Sequence, residues 1–311
     1  MSRQRVLLLA LTMHGIRGVS AKPLNSKEIH ELIASGDYEN ILDGNDISTS
    51  PTVSKIGLSR VVELLTLEAQ ATLVIDSWSH KGIWCATIFD DLADSQLMQI
   101  LGENCPVVLY GVGEKSLLRE PAFGVVGSRN LTEAGAEVAK AAGALSASKA
   151  HVLVSGGARG ADLIAMSGAL ENGGRSLGFL ANGLTQSSRD PQTISYVHEE
   201  VLTLVSPYSP DAPFSVGAAM GRNKLIYGAS DSVFVVASDK EKGGTWAGAV
   251  EAIKKSYTSV NVWLGAGSGP GNAALVKLGA TGVTQLNDAF KKNQDNHAQL
   301  PRVTAEQMNL F

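Results

Sequence analysis

The chain has 311 residues, of which 44% are hydrophobic and 18% charged, so it can bury a full core and is not a disordered or disulfide-stapled protein. Its 33 glycines and 10 prolines favour an α/β protein with glycine-rich loops. The formal net charge of −4 excludes a global positive field, so any phosphate-binding site must be a local basic patch. The two cysteines, Cys85 and Cys105, form no CxxC motif and indicate a reducing cytoplasm.

The chain begins with an apolar run at residues 6–11, preceded by Arg3 and Arg5. Such a run is typical of a secretory signal, but His14 and Arg17 follow it closely. We therefore interpret it as a short first helix packed on its own domain. No stretch approaches the roughly 18 uninterrupted apolar residues of a transmembrane helix, so no membrane association is expected.

The spacing of apolar residues in 1–112 predicts a small, mostly helical N-terminal domain. Apolar residues recur at helical spacing from Ser26, which we take as an N-cap, and a second helix is predicted over residues 57–67. Strand-like apolar runs are found in this part of the chain at residues 73–75 and 107–110.

Residues 113–290 follow a different pattern, in which short apolar runs end in glycine or serine and precede helical stretches. Helices are predicted over residues 133–147, from the end of the segment 155–162 to about Asn172, and over residues 247–255. Strands that are apolar without alternation, separated by helices, are typical of a parallel sheet buried on both faces. The sequence therefore predicts an α/β, Rossmann-like, mostly parallel doubly wound sheet, followed by a flexible tail at 291–311. The predicted strands are 123–126, 151–154, 176–180, 201–205, 232–236, 260–264 and a short one near Val283.

Three glycine-containing segments follow predicted strands or lie between them, and each carries basic residues. In an open parallel sheet, ligands bind beyond the carboxyl ends of the strands, where glycine lets the backbone approach a phosphate and arginine supplies forked donors. The alternative is purely structural, with tight turns, Asp162 as a helix cap, and Arg222 and Lys224 on a solvated helix face. The candidate DNA- or phosphate-binding residues are Gly127, Ser128, Arg129, Ser155, Gly156, Gly157, Arg159, Gly160, Arg222, Asn223, Lys224, Lys242, Gly243, Gly244 and Thr245.

Catalytic motifs are weak in this sequence. The six histidines show no HxxxH or HExxH spacing, and no nucleophile–base pattern is recognisable. Neither a GxGxxG fingerprint nor a GxxxxGK[ST] loop is found. We therefore expect a binding protein with no catalytic residue, no metal and no cofactor.

The segment 123–184 carries GSR at 127–129 and SGGARGAD at 155–162, and it resembles the core of the DNA-processing protein A (DprA, or Smf) family. Residues 82–90 and 106–113 resemble the approach to that core. Downstream, GRNKLI at 221–226 resembles the family's RNR element, with Lys224 in place of its second arginine, and is followed by a GGTW loop. The resemblance covers roughly residues 80–285.

This resemblance implies a non-catalytic protein that binds single-stranded DNA and loads the RecA recombinase during natural transformation. It places Arg129, the glycine loop 156–160, Arg222 and Lys224 on the DNA-binding face, and it implies a homodimer. An alternative remains open, because the GGTW loop is also similar to nucleotide-binding Rossmann proteins. The chain would then be a nucleotide or nucleotide-signal sensor, or a nucleoside-monophosphate hydrolase, although Glu251 does not reproduce the spacing of the hydrolase motif.

The last five residues resemble the short peptide with which bacterial proteins bind the sliding clamp. The residues that match this peptide are Gln307, Met308, Leu310 and Phe311, which follow a polar linker. Apolar residues on such a tail would be buried in a partner's pocket. The alternative is that the tail folds back onto its own domain.

Overall fold

A computed structural model of the protein describes residues 2–13, 20–187 and 190–290. These residues divide into two compact units. The first runs to Asp94 and includes Gly102–Leu109, and the second comprises Ser95–Leu101 and the chain from Tyr110 onward. Among the described residues, none of the helices combines the length and the apolar character that a membrane-spanning helix needs. The tail residues Gln307, Met308, Leu310 and Phe311 lie outside the described residues.

The first unit is mainly helical, which confirms the sequence prediction. The leucine-rich run is a core helix, because Leu7–Leu11 are all buried and the helix packs against three later ones. Its elements are α1 (Arg3–Thr12), α2 (Ser26–Ala34), α3 (Asp37–Asp43), α4 (Pro51–Ile56), α5 (Leu58–Leu65), α6 (Glu68–Ser79) and β1 (Trp84–Thr87), with a 3₁₀ turn at Gly102–Asn104.

Two local predictions in this unit were wrong. The N-cap of α2 is Asn25 rather than Ser26, because the Asn25 side chain accepts the Glu28 amide at 3.0 Å while the Glu28 carboxylate accepts the Asn25 amide at 2.8 Å. The apolar run at 73–75 lies inside α6 and forms no strand. Ala71, Ile75 and Trp78 are its buried residues, and their helical spacing outweighs a three-residue run.

The second unit alternates strands and helices. Its elements are α7 (Gln96–Leu101), β2 (Val108–Val112, shared with the first unit), β3 (Ala122–Val126), α8 (Glu133–Ser148), β4 (Val152–Ser155), α9 (Ala161–Glu171), β5 (Ser176–Phe179), α10 (Leu184–Ser187), α11 (Pro191–His198), β6 (Leu202–Ser206), α12 (Val216–Gly228), β7 (Ser232–Val235), α13 (Gly243–Lys254), β8 (Ser259–Trp263), α14 (Asn272–Lys277) and β9 (Thr281–Val283), with 3₁₀ turns at Lys115–Arg119 and Leu286–Phe290.

The strands of the second unit form one sheet in the order β2-β6-β5-β4-β3-β7-β8-β9. The pairing of β2 with β6 is antiparallel, and the pairings from β6 through β9 are parallel. The strands β3 to β7 are buried along their whole length. Helices α8 and α9 pack on each other and on β3 and β4, whereas α12 packs on α13. The predicted Rossmann-like, mostly parallel doubly wound sheet is confirmed.

The strand order reverses at β3. From this strand the chain winds outward through β4, β5 and β6, and it then returns to place β7 on the other side of β3. The helices that follow two such strands diverge to opposite faces of the sheet and leave a crevice beyond their carboxyl ends. The topology therefore locates the expected ligand site at the ends of β3 and β7.

Candidate functional site

A cavity of about 360 Å³ opens at the carboxyl ends of β3 and β7. Its walls come from the loop after β3, from the chain between β7 and α13, and from one face of α12. The sequence-predicted residues that line it are Gly127, Ser128, Arg129, Arg222, Asn223, Lys242, Gly243, Gly244 and Thr245. All three predicted segments therefore contribute to, or pack beside, one site.

The loop after β3 is held on both sides by backbone contacts. The Ser128 amide donates to the Ala237 carbonyl at 2.8 Å, and the Ser128 carbonyl accepts the Ala161 amide at 3.2 Å. Gly160 lies so close to this loop that a Cβ atom there would overlap the carbonyl oxygens of Ser128 and Arg129. The exposed Arg129 side chain thus extends from a fixed backbone.

The opposite wall is the beginning of α13. Thr245 donates its hydroxyl to the Gly127 carbonyl at 2.9 Å, and the Asn223 amide donates to the Gly244 carbonyl at 3.1 Å. Lys242 occupies the N-cap position, and no side chain in the described part of the molecule caps this helix. The first amides of an uncapped helix carry partial positive charge, so this wall favours an anion.

Here the predicted helix start was wrong. Gly243, Gly244 and Thr245 were predicted to form a loop before a helix at 247, but they are the first turn of α13. Gly243 has φ +84°, which allows the chain to turn directly from the segment after β7 into the helix.

The floor of the cavity contains two buried charged side chains, Asp162 of α9 and Arg222 of α12. Arg222 donates from Nη1 to the Phe179 carbonyl at 2.5 Å, and the Asp162 carboxylate accepts the Gly156 amide at 3.1 Å. Burial raises the pKa of Asp162 to about 6, and Arg222 with nearby backbone amides opposes the rise. Burial also lowers the pKa of Arg222, while Asp162 opposes that change.

The remaining predicted residues lie outside the cavity lining. Ser155 donates its hydroxyl to the Val125 carbonyl at 2.6 Å, and Gly156 packs directly against Asp162 and Arg222. Arg159 is exposed and donates to Asn130 Oδ1 at 3.0 Å. The residues of this group are Ser155, Gly156, Gly157, Arg159, Gly160 and Lys224.

Sequence reasoning missed an apolar rim on this cavity. Phe214, Val216 and Met220 are exposed by 52%, 74% and 42% and line its edge. A helical signal was available, because the lining positions 216, 219, 220, 223, 226 and 227 recur at the three- and four-residue spacing of one helix face. It was missed because α12 was not predicted as a helix from residue 216.

The arrangement suits an anion with apolar parts. Arg129 and Lys242 are exposed cations at the mouth, the start of α13 supplies amides, and the rim supplies apolar surface. Asp239 is an exposed carboxylate at the same mouth. Across the described ranges, His, Cys, Asp and Glu side chains form no group of three or more that could hold a metal ion.

Solved structures of DNA processing protein A from two bacteria are similar to this fold. The crystal structure of DNA processing protein A (DprA) from Streptococcus pneumoniae superposes with a TM-score of 0.68 at 23% identity, covering 93% of this chain and 96% of that one. A structure of DNA processing protein A from Helicobacter pylori, which concerns its single-stranded DNA binding mode, gives a TM-score of 0.51 at 24% identity and covers 66% and 93% of the two chains.

Sequence comparison agrees with the structural likeness. DNA processing protein DprA of Bacillus subtilis (strain 168) is 27% identical over 250 residues, which is 78% of this chain and 77% of the relative. DNA processing protein DprA of S. pneumoniae is 32% identical over 162 residues, or 51% and 55% of the two chains. The family model for DNA recombination-mediator protein A matches residues 84–294, which include every segment that lines the cavity. With more than half of its length matched in this way, the chain belongs to the DNA recombination-mediator protein A family.

Proposed function

We propose that this protein binds single-stranded DNA in DNA processing and that the cavity at the ends of β3 and β7 takes the sugar-phosphate backbone. The observation that carries the proposal is the convergence of Arg129, Lys242 and the uncapped start of α13 at the point where the strand order reverses. The family membership supports it, as does the H. pylori relative, whose structure concerns single-stranded DNA binding.

The chemistry of the cavity fits a nucleic acid strand better than an isolated phosphate. Phosphate oxygens would be bound by Arg129, Lys242 and the amides of the first turn of α13. Unstacked bases present apolar faces, and the exposed Phe214, Val216 and Met220 offer them a matching surface. A base within a duplex is already stacked, so this rim favours a single strand.

The test is an anisotropy titration of a labelled thymidine oligonucleotide at several salt concentrations. We expect Arg129→Ala and Lys242→Ala each to weaken binding about 5-fold or more and to reduce the salt slope by about 0.7, the value for one phosphate contact on a single strand. Lys149→Ala is the matched control, because Lys149 is also exposed but lies at the C-cap of α8, at the opposite end of the strands.

Wild-type affinity and slope in both cavity variants would contradict the site. Equal affinity for a duplex of the same length would contradict the preference for a single strand. If nucleoside monophosphates displaced the oligonucleotide at equal nucleotide concentration, a small nucleotide would be the better ligand.

We further propose that the protein loads RecA onto single-stranded DNA in the cytoplasm. The support is the resemblance of the GSR, SGGARGAD and GRNK segments to the DprA family. RecA ATP hydrolysis on DNA precoated with single-strand-binding protein measures loading. The protein should shorten the lag before hydrolysis, and an unchanged lag would contradict this role.

Two partner proposals concern the whole chain. We propose that the protein forms a homodimer, which light scattering would test, with a monomer mass at all concentrations as the contrary result.

We also propose that Gln307, Met308, Leu310 and Phe311 bind the sliding clamp, since they match its short peptide motif. Deleting residues 307–311 should abolish clamp binding. Unchanged binding, or none by the full chain, would contradict it.

A further inference from the structure

The floor of the cavity holds a buried pair of opposite charges. Asp162 is 7% exposed and Arg222 is 4% exposed, and both line the cavity. The two side chains pack against Gly156 so closely that a Cβ atom there would overlap both of them. A buried pair of this kind is neutral as a whole, so the floor lends an incoming anion no net charge while Asp162 is ionised.

The floor also has unused hydrogen-bonding capacity. Arg222 Nε and the Tyr227 hydroxyl are buried and have no hydrogen-bond partner among the described residues. Both side chains line the cavity, and Tyr227 is 1% exposed. Because buried polar groups are nearly always paired, these two donors mark the floor as polar and incompletely hydrogen-bonded.

Several charged or titratable groups surround the Asp162 carboxylate. Arg222 and Tyr227 reach it from α12, and Tyr208 and Arg129 act on Arg222 from the loops after β6 and β3. Lys242 and Asp239 lie at the mouth of the same cavity, and Glu251 acts on Tyr227 from α13. The described histidines, at 30, 80, 151 and 198, do not line the cavity.

Burial raises the pKa of the Asp162 carboxyl to about 6, so at pH 7 the group is mainly ionised but close to its midpoint. A second anion brought into the cavity repels the carboxylate and favours its protonated form. Since the loop after β3 and the start of α13 confine the anion above this floor, the repulsion acts at short range and in a poorly solvated place.

We propose that phosphate binding in this cavity is coupled to the uptake of one proton by Asp162, which converts the neutral floor into a net positive one centred on Arg222. The proton comes from solvent and binds a carboxylate oxygen, and no other bond changes. The inference rests on the proposed function, because the bound phosphate is that of the DNA backbone.

The coupling has a defined size. If one carboxyl takes up a proton on binding, affinity falls by up to about tenfold for each pH unit above 6 and levels off below 6, where free Asp162 is already protonated. Phosphodiesters do not titrate in this range, whereas a terminal phosphate monoester has a pKa near 6. The probe is therefore a thymidine oligonucleotide without a terminal phosphate.

The experiment is calorimetric titration of the full-length protein with this oligonucleotide at pH 7, in buffers of different ionisation enthalpy. We expect the binding enthalpy to vary with the buffer and to report an uptake of roughly half to one proton. Asp162→Asn should bind the oligonucleotide without buffer dependence. Asp239→Asn is the control, because it removes the same charge at the exposed mouth and should keep the buffer dependence.

The outcomes separate this inference from the function on which it rests. Oligonucleotide binding with an enthalpy independent of buffer overturns the proton coupling alone, and buffer dependence that persists in Asp162→Asn overturns the assignment to Asp162. If Asp162→Asn does not fold, titrations of the wild-type protein at different pH values decide. An affinity that stays unchanged between pH 6 and pH 8 overturns the coupling. No binding at any pH overturns the proposed function instead.

Discussion

Gly160 is the position where the fold and the candidate site depend most directly on one missing side chain. Its φ of +91° and ψ of −131° belong to a region that L residues rarely adopt, and a Cβ atom there would overlap the Ser128 and Arg129 carbonyls. Backbone strain of this kind costs about 1–3 kcal/mol, and overpacking costs about 1–3 kcal/mol more. We therefore expect Gly160→Ala to lower the free energy of unfolding by about 2–6 kcal/mol.

Gly173→Ala is the matched control. Gly173 also has a positive φ, +72°, but nothing lies within 4 Å of a Cβ atom placed there, so only the backbone strain of about 1–2 kcal/mol applies. Urea unfolding of both variants measures the difference. Because the methyl group added in Gly160→Ala would displace the loop that carries Arg129, Gly160→Ala should also bind the oligonucleotide more weakly. Gly173→Ala should bind it as the wild type does. Equal destabilisation, or unchanged affinity in Gly160→Ala, would refute the reasoning.

Three further predictions concern single side chains. Relative to Asp162→Asn, the wild-type free energy of unfolding should fall by about 2 kcal/mol as pH rises from 4 to 6, because the raised pKa of Asp162 makes the folded state bind the proton more tightly. Parallel curves for the two proteins would contradict this. Asn25→Ala should cost about 1 kcal/mol in urea unfolding through loss of the capping box, whereas Ser26→Ala should cost clearly less. Arg60→Ala should lower the free energy of unfolding by about 1–3 kcal/mol, since the guanidinium binds both carboxylate oxygens of Glu28. Full stability in Arg60→Lys would contradict this two-oxygen geometry.

The strands of the second unit were predictable because each is a short apolar run that ends in glycine, serine or a polar residue. In β3 and β4, both faces are buried, so the sequence has no alternation that could be confused with a surface strand. The loops that follow them had to lie at the same edge of a parallel sheet. That inference alone located Gly127, Ser128 and Arg129 at the ligand side of the fold.

The wall formed by α12 was not predictable in the same way. Arg222 and Lys224 look like one basic cluster in the sequence, but residues two apart on a helix point in widely different directions. Arg222 therefore lines the cavity and Lys224 does not. The burial of Asp162 was equally hidden, because an aspartate in the first turn of a helix normally caps it at the surface.

The net charge of the protein also shapes how the cavity can bind an anion. The chain as a whole carries −4, while three cations, Arg129, Lys242 and Arg222, face two carboxylates, Asp162 and Asp239, around the cavity. Charges separated by more than the Debye length of about 8 Å are screened at physiological ionic strength, so this small local excess cannot draw DNA from a distance. Affinity must then come from contact, through fixed amides, two exposed cations and the apolar rim. Two phosphate contacts on a single strand give a salt slope of only about −1.4, so a much steeper slope would require basic surface beyond this cavity.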